Sequence, residues 1–313
     1  MVEVVTIGEP MVLFVADAVG SLETIEHFTK FLAGAEVNVS IGLTRLDHKV
    51  CYITKLGHDP FGKYIYNFLS EEHIDTSYVR WDEVNPTGFQ IKEKTLSGDP
   101  EVVSFRRGSA ASCLTKKDLA SLDWSGVKHL HVTGIPLALS PDFREAVFSL
   151  VALAKIKGIR VTFDPNLRPK LWKSQAVMVR VINELAVQCD IVLPGIGEGA
   201  VLTGHDDPEK IADFYLEKGV KAVSVKLGEK GAFVKTQSES YLVPGFKVDQ
   251  VVDTVGAGDA FAVGLISGLL EGLTLRDSVL RGNAIGSLQV MTPGDNDGLP
   301  DRETLAHYLH ARG

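Results

Sequence analysis

Cysteine, excess positive charge and long apolar runs are all scarce in this sequence, and each shortage closes off a class of protein. Three cysteines in 313 residues, Cys51, Cys113 and Cys189, are too few and too apolar in their surroundings for a disulfide framework, so they read as reduced packing residues. The formal net charge is −8, which leaves no basic face to neutralise a phosphate backbone and excludes nonspecific nucleic-acid binding. No apolar run reaches the ~18–20 residues that span a bilayer, so no membrane partner is expected. The first residues, MVEVVTIGEP, lack the basic region and cleavage site of a signal peptide; the expectation is a cytoplasmic chain. Nine histidines are present without a zinc pattern around them, since His129 and His131 alternate along a strand-like run and His307 and His310 lie near a helical C-terminus.

What is present is ordinary in amount and regular in order. Apolar residues make up 45% and charged residues 23%, as in a globular protein long enough to bury a full core. Short β-branched runs at 2–8, 50–57, 129–135, 159–166, 190–195 and 222–228 alternate with helical patterns such as 61–73, 140–158 and 175–188. That alternation predicts one α/β domain over 1–313, with a mostly parallel central sheet flanked by helices on both faces. Ligands on such sheets bind beyond the carboxyl ends of the strands. Segments that follow strands are therefore the ones to read for chemistry: Gly8-Glu9, Asp164 to Arg168, Gly195 to Glu198 and Lys226 to Gly231.

Two stretches break the alternation. MVLFVADA with IEHFTKFL, and GFQIKEKT with VVSFRRG, read as extra strands with no helix between them. They suggest a small β lid built from about 10–33 and 86–108, of the kind that excludes water from a reacting centre, with a hairpin extension of the main sheet as the alternative. Its open edges would suit a second copy of the chain, so a homodimer or higher assembly is expected.

Residues 253–270, DTVGAGDAFAVGLISGLL, carry the sharpest signal. An Asp at a helix start can be a plain N-cap. A cap does not require the run Gly256, Ala257 and Gly258 in front of it, whereas small residues ahead of a helix N-terminus let backbone N–H groups close on an anion. If those amides hold a transferring phosphoryl group, Asp259 reaches the attacking hydroxyl as a general base. Cationic help must then come from magnesium on a nucleotide and from a side chain such as Lys226, which follows a strand in VKLGEKGA. No Walker A sequence is present, and GIGEGA at 195–200 fits only a relaxed dinucleotide pattern interrupted by Pro194.

DTVGAGDAFAVG resembles the C-terminal signature of the ribokinase-like (PfkB) carbohydrate kinases, and AGAEVNVS at 33–40 with Gly57 resembles their N-terminal one, although Asp47 stands where that pattern has Gly or Ser. The resemblance extends over essentially the whole chain and implies a ribokinase-like α/β fold. It implies Asp259 as catalytic base, Gly256, Ala257 and Gly258 as anion hole, and Gly34 and Asn38 facing the sugar. Lys226, Gly228, Gly231 and Asn283 would line the ATP site. The family's Asn-x-x-Glu motif keeps only Glu198, with Gly195 in the Asn position, so Glu198 is expected to act through water on Mg2+. Asp253 and Val255 fall in the loop where relatives hold a monovalent cation, and a need for K+ stays open.

The acceptor is read from two arginines. Arg106 in SFRRGSAAS and Arg168 in DPNLRPKLW offer guanidinium forks to a carboxylate, with ordinary surface pairing as the alternative. GEPM, RRGSAAS, DPNLRPKLW and PGDNDGLP together resemble 2-keto-3-deoxygluconate kinases, which implies a sugar acid phosphorylated on a primary hydroxyl. Gln90 and Phe105 stand at lid positions where that group has tyrosines, and they complete the expected substrate contacts. A fructokinase acting on a neutral ketohexose is the runner-up, and a sugar-binding regulatory protein without chemistry is the alternative of another class.

Overall fold

The computed structural model describes residues 1–95 and 100–312, with the backbone alone at Arg312. Residues 96–99 of the expected 86–108 lid stretch lie outside the described residues. The strands are β1 (Val4–Ile7), β2 (Met11–Val19), β3 (Phe28–Ala33), β4 (Val50–Gly57), β5 (Val79–Asp82), β6 (Phe89–Lys94), β7 (Val102–Phe105), β8 (His129–Thr133), β9 (Arg160–Asp164), β10 (Ile191–Val192), β11 (Ala222–Lys226), β12 (Ala232–Thr236) and β13 (Ser240–Val243). The helices are α1 (Ala35–Arg45), α2 (Pro60–Glu71), α3 (Ile135–Leu139), α4 (Pro141–Ile156), α5 (Gln175–Ala186), α6 (Ile196–Thr203), α7 (Pro208–Leu216), α8 (Ala257–Leu270), α9 (Leu275–Gln289) and α10 (Arg302–Arg312).

Nine strands form the central sheet in the order β13-β12-β11-β10-β9-β8-β1-β4-β5. Every pair from β11 to β5 is parallel. Successive strand residues point to opposite faces, so Val4 and Val5 enter different cores. Val5 packs with Val132, Phe163, Phe143 and Ile182 under α4, α5 and α7, whereas Val4 packs with Tyr52, Ile41 and Val263 under α1, α2, α8 and α9. The chain thus folds as the ribokinase-like α/β arrangement expected from the sequence, with helices on both faces.

Three features differ from the expectation. The last two strands run antiparallel, because the turn at Gly228–Lys230 is far too short for a crossover helix. Helix α9 escaped the sequence reading because its buried face mixes Val279 and Ile285 with Ser278, Gly282, Asn283, Ser287 and Gln289, which breaks up any apolar stripe. Its partner α8 comes close because a Cβ on Gly264 would lie 2.5 Å from Gly282 Cα; the glycines inside that helix serve packing. Third, the strand expected at 190–195 is only two residues long, Ile191 and Val192.

The remaining four strands make a separate sheet in the order β3-β2-β6-β7. Phe14 and Phe89 of this sheet meet Phe61 of α2, each with ring centroids 5.6 Å from it, and these contacts fasten the small sheet to the body.

Candidate active site

The 253–259 segment leaves the sheet edge and turns into α8 at Gly256, which has φ +77 and so adopts a left-handed conformation costly for other residues. A side chain there would also run into the Asp295 carbonyl. Asp259 follows in the first turn of α8, only 8% exposed. Asn38 Nδ2 donates to its Oδ2 at 2.9 Å. Asn166, held at φ +38 after β9, brings Nδ2 to 3.5 Å from Oδ1. Burial drives the Asp259 pKa up to about 8, and the Asn38 hydrogen bond opposes the rise without cancelling it.

Lys226 ends β11 and Asp164 ends β9, and their parallel strands set Nζ and Oδ2 2.6 Å apart. The ammonium lies over the Gly256–Gly258 loop, 3.2 Å from where a Cβ on Gly258 would be. Burial disfavours its charge, yet the Asp164 carboxylate outweighs that and the Lys226 pKa sits above the ordinary lysine value. A positive charge is therefore fixed at the loop beside an acid whose pKa is raised by burial.

Two cavities meet at this point. One, of about 320 Å³, is lined by Gly34, Asn38, Gln90, Arg106, Arg168 and Asp259, among others. The second, about 740 Å³ and more apolar, runs past Gly228, Gly231, Ala257 and Asn283. Lys226, Thr254 and Gly258 line both. Asn283 shapes the larger groove by donating Nδ2 to the carbonyls of Val243 and Pro244 at 3.1 and 3.0 Å.

Several expected residues have tasks that the sequence did not show. Arg106 reaches the smaller cavity, but its Nε and Nη2 bind the buried Glu9 carboxylate at 2.6 and 2.5 Å, so only part of its guanidinium is free for a ligand. Glu198 faces the same cavity with Oε1 accepting from Leu167 N and Oε2 from Gly195 N, each at 2.8 Å; its outer lone pairs suit a water shell around a hard cation. Gln90 lines the cavity while donating to Ser104 Oγ at 3.0 Å.

Three more of the expected residues are placed as follows. Phe105 is not a cavity residue: on the edge strand β7 it is 50% exposed and stacks flat on Phe89 at 4.6 Å. Asp253 and Val255 are not free cation ligands, because Lys92 Nζ lies 2.6 Å from Asp253 Oδ2 and Gln289 Nε2 donates to the Val255 carbonyl at 3.3 Å.

Asp164, Asn166 and Asp295 line the smaller cavity and Glu9 backs it through Arg106; the sequence pointed to 8–9 and 164–168 as strand-end segments but assigned none of these residues a role, and it did not single out Asp295. The available signal was position, since Asp164 ends β9 and Glu9 comes two residues after β1, both parallel strands. Their pairing with Lys226 and Arg106 depends on strand order, which sequence spacing does not reveal.

Residues 1–302 match the family model described as pfkB family carbohydrate kinase. A relative from Bacillus subtilis (strain 168), 2-dehydro-3-deoxygluconokinase, is 48% identical over 99% of this chain and 96% of its own. An E. coli protein assigned as Ribokinase II, solved with ATP and Mg2+, superposes with a TM-score of 0.90 at 25% identity, covering 99% of this chain and 100% of that one. A double mutant of the fructokinase from Vibrio cholerae O395, solved with fructose, ADP and potassium ion, gives a TM-score of 0.87 at 28% identity, with 99% and 98% covered.

Proposed function

This chain belongs to the pfkB family of carbohydrate kinases, and from that premise we propose that it transfers the γ-phosphoryl group of ATP to the primary hydroxyl of 2-dehydro-3-deoxygluconate. The observation that carries the reading is the meeting of two cavities at Gly258 and Lys226, with Asp259 facing the smaller one. The sugar acid occupies that smaller cavity and ATP the larger groove. Asp259 takes the hydroxyl proton, the hydroxyl oxygen bonds to the γ-phosphorus, and the bond to ADP breaks with its electron pair leaving on ADP.

The residues do the remaining work by position. Amides of Gly256, Ala257 and Gly258 and the Lys226 ammonium face the charge that spreads over the transferring group. Glu198 would hold the water shell of a nucleotide-bound Mg2+, which would supply neutralisation of phosphate charge. The raised Asp259 pKa matches a base that must accept a proton near neutrality. Arg168, exposed at the cavity rim and bonded only to its own Leu167 carbonyl among the described residues, grips the substrate carboxylate. The four-stranded sheet acts as a lid, and its edge strands β3 and β7 offer a surface for a second copy.

Purified protein with ATP, magnesium and a panel of sugar acids and neutral ketohexoses, coupled to ADP detection, tests the proposal. The expected result is turnover of 2-dehydro-3-deoxygluconate with a kcat/KM well above that of fructose. Preference for fructose would transfer the assignment to a fructokinase.

A further inference from the structure

Behind the anion loop lies a knot of oxygens: the carboxylates of Asp253 and Asp295 and the carbonyls of Val255 and Gly294. Two carboxylates there would set a negative background against the phosphoryl group that the loop amides receive. A fold relative was solved with potassium ion bound, and a monovalent cation suits such oxygens. The residues of this chain do not fit one. Asp253 Oδ2 is 2.6 Å from Lys92 Nζ and its Oδ1 accepts from Val255 N at 3.0 Å. The Val255 and Gly294 carbonyls both accept from Gln289 Nε2, at 3.3 and 2.8 Å, and Gln289 is fully buried.

We infer that the Lys92 ammonium, seated on Asp253 beneath the lid, is a built-in monovalent cation for the anion loop and frees this kinase from a potassium requirement. Lys92 sits in the middle of β6, an inner strand of the lid sheet, and is 7% exposed. A lysine is buried to that degree only against a counter-charge. Asp295 Oδ1, buried without a hydrogen-bond partner among the described residues, is the second acid within the reach of its field. Because Lys92 belongs to the lid, the charge that balances the loop comes from the lid itself. Lys92 is a positioning residue: it acts through Asp253 on the loop and touches no substrate.

The inference rests on the kinase family, whichever sugar is the acceptor, and the test reads both activity and melting. For the unaltered protein, replacing potassium by choline at equal ionic strength should leave kcat within about twofold and the melting temperature unchanged, since no ion site is left to fill. Lys92→Ala removes the charge and leaves room for an ion. In choline it should lose about tenfold or more in kcat, and potassium should restore much of the loss and raise its melting temperature. Potassium dependence of the unaltered protein, full activity of Lys92→Ala in choline, or a loss that potassium does not repair would each overturn the inference. If no sugar in the panel turns over, the substrate assignment fails, while potassium-dependent melting of the two proteins still decides this question.

Discussion

Asn38 Nδ2 donates to Asp259 Oδ2 at 2.9 Å, joining α1 to the first turn of α8 across 221 residues of sequence. Asn38 is itself oriented, because its Oδ1 accepts from Asn296 Nδ2 at 3.1 Å, and Asn296 also donates to the Leu32 carbonyl. The Asp259 carboxylate is therefore aimed by a relay of amides that starts at the end of strand β3. Asn38→Ala should leave the fold intact and lower kcat by about 10–100-fold, the usual cost of a misplaced reacting group. ATP binding should be unaffected, since Asn38 does not line the larger groove. Steady-state kinetics with both substrates varied will show this, and an unchanged kcat would remove Asn38 from the machinery.

Asp259→Asn should cut turnover by about 10²–10⁴-fold, the contribution typical of a general base. Its stability effect has a sign of its own. The folded protein holds a proton on Asp259 up to about 8, while the unfolded chain releases it near 3.8, so between those values the folded state binds more protons. Stability from this group is thus lost as pH rises through that window. Glu36, buried and raised to about 7, acts in the same sense. The melting temperature of Asp259→Asn should exceed that of the unaltered protein by a margin that grows from pH 4 to pH 8. A margin that shrinks over that range would contradict the buried-acid assignment.

The parts legible in the sequence are those whose physics is local. The alternation of strands and helices, the Gly256-Ala257-Gly258 turn and Asp259 behind it follow from patterns within a few residues. Residues that act through partners across the sheet were not legible: Lys226 could be placed at a strand end, but Asp164 as its counter-ion required β9 and β11 to flank β10. The placement of Phe105 was not legible either, because β7 is an edge strand whose register with β6 sets that ring against Phe89. The Lys92–Asp253 pair joins positions 161 apart: Asp253 was noticed as a possible cation ligand, but Lys92 does not stand out in its own stretch.

Gly256→Ala tests the loop geometry. The residue sits at φ +77 and a methyl group there meets the Asp295 carbonyl, which cannot swing aside as a side chain could. Strain of about 1–3 kcal/mol is expected from the backbone alone. The melting temperature should fall and, on the proposal that the loop amides receive the phosphoryl group, kcat should fall with it as they are displaced. Normal kcat in a folded Gly256→Ala protein would mean that the loop does not form the anion hole.

Asp164→Asn removes the counter-charge of Lys226. Breaking one side of a buried pair costs about 3–5 kcal/mol in general, and the figure here should be smaller because the Lys226 side chain keeps 18% exposure. The pair holds through neutral pH, and since the Lys226 pKa is raised above 10.5, its contribution fades only on the alkaline side of that value. Thermal melts at pH 7 and at pH 11 should therefore show a difference between the unaltered protein and Asp164→Asn that is larger at pH 7. Asp164→Asn should also lower kcat, since the ammonium beside Gly258 is no longer held in place.

The two arginines at the smaller cavity should behave differently when replaced. Arg168 is exposed and makes no carboxylate pair among the described residues, so its guanidinium is available to a substrate carboxylate. Arg168→Gln should raise KM for the sugar acid by about 10–100-fold, a charge-assisted bidentate contact being worth roughly 1.5–3 kcal/mol, and leave a neutral analogue little changed. Arg106 is 6% exposed and locked to Glu9, which is 1% exposed and also bound by the Ser109 hydroxyl. Arg106→Gln strands that carboxylate, so the melting temperature should drop and both substrates should suffer. Pairing it with Glu9→Gln should return part of the stability without returning sugar-acid affinity. If Arg168→Gln weakens acid and neutral substrates equally, the guanidinium at 168 does not read the carboxylate, and the preference for a sugar acid would have to rest on Arg106 alone.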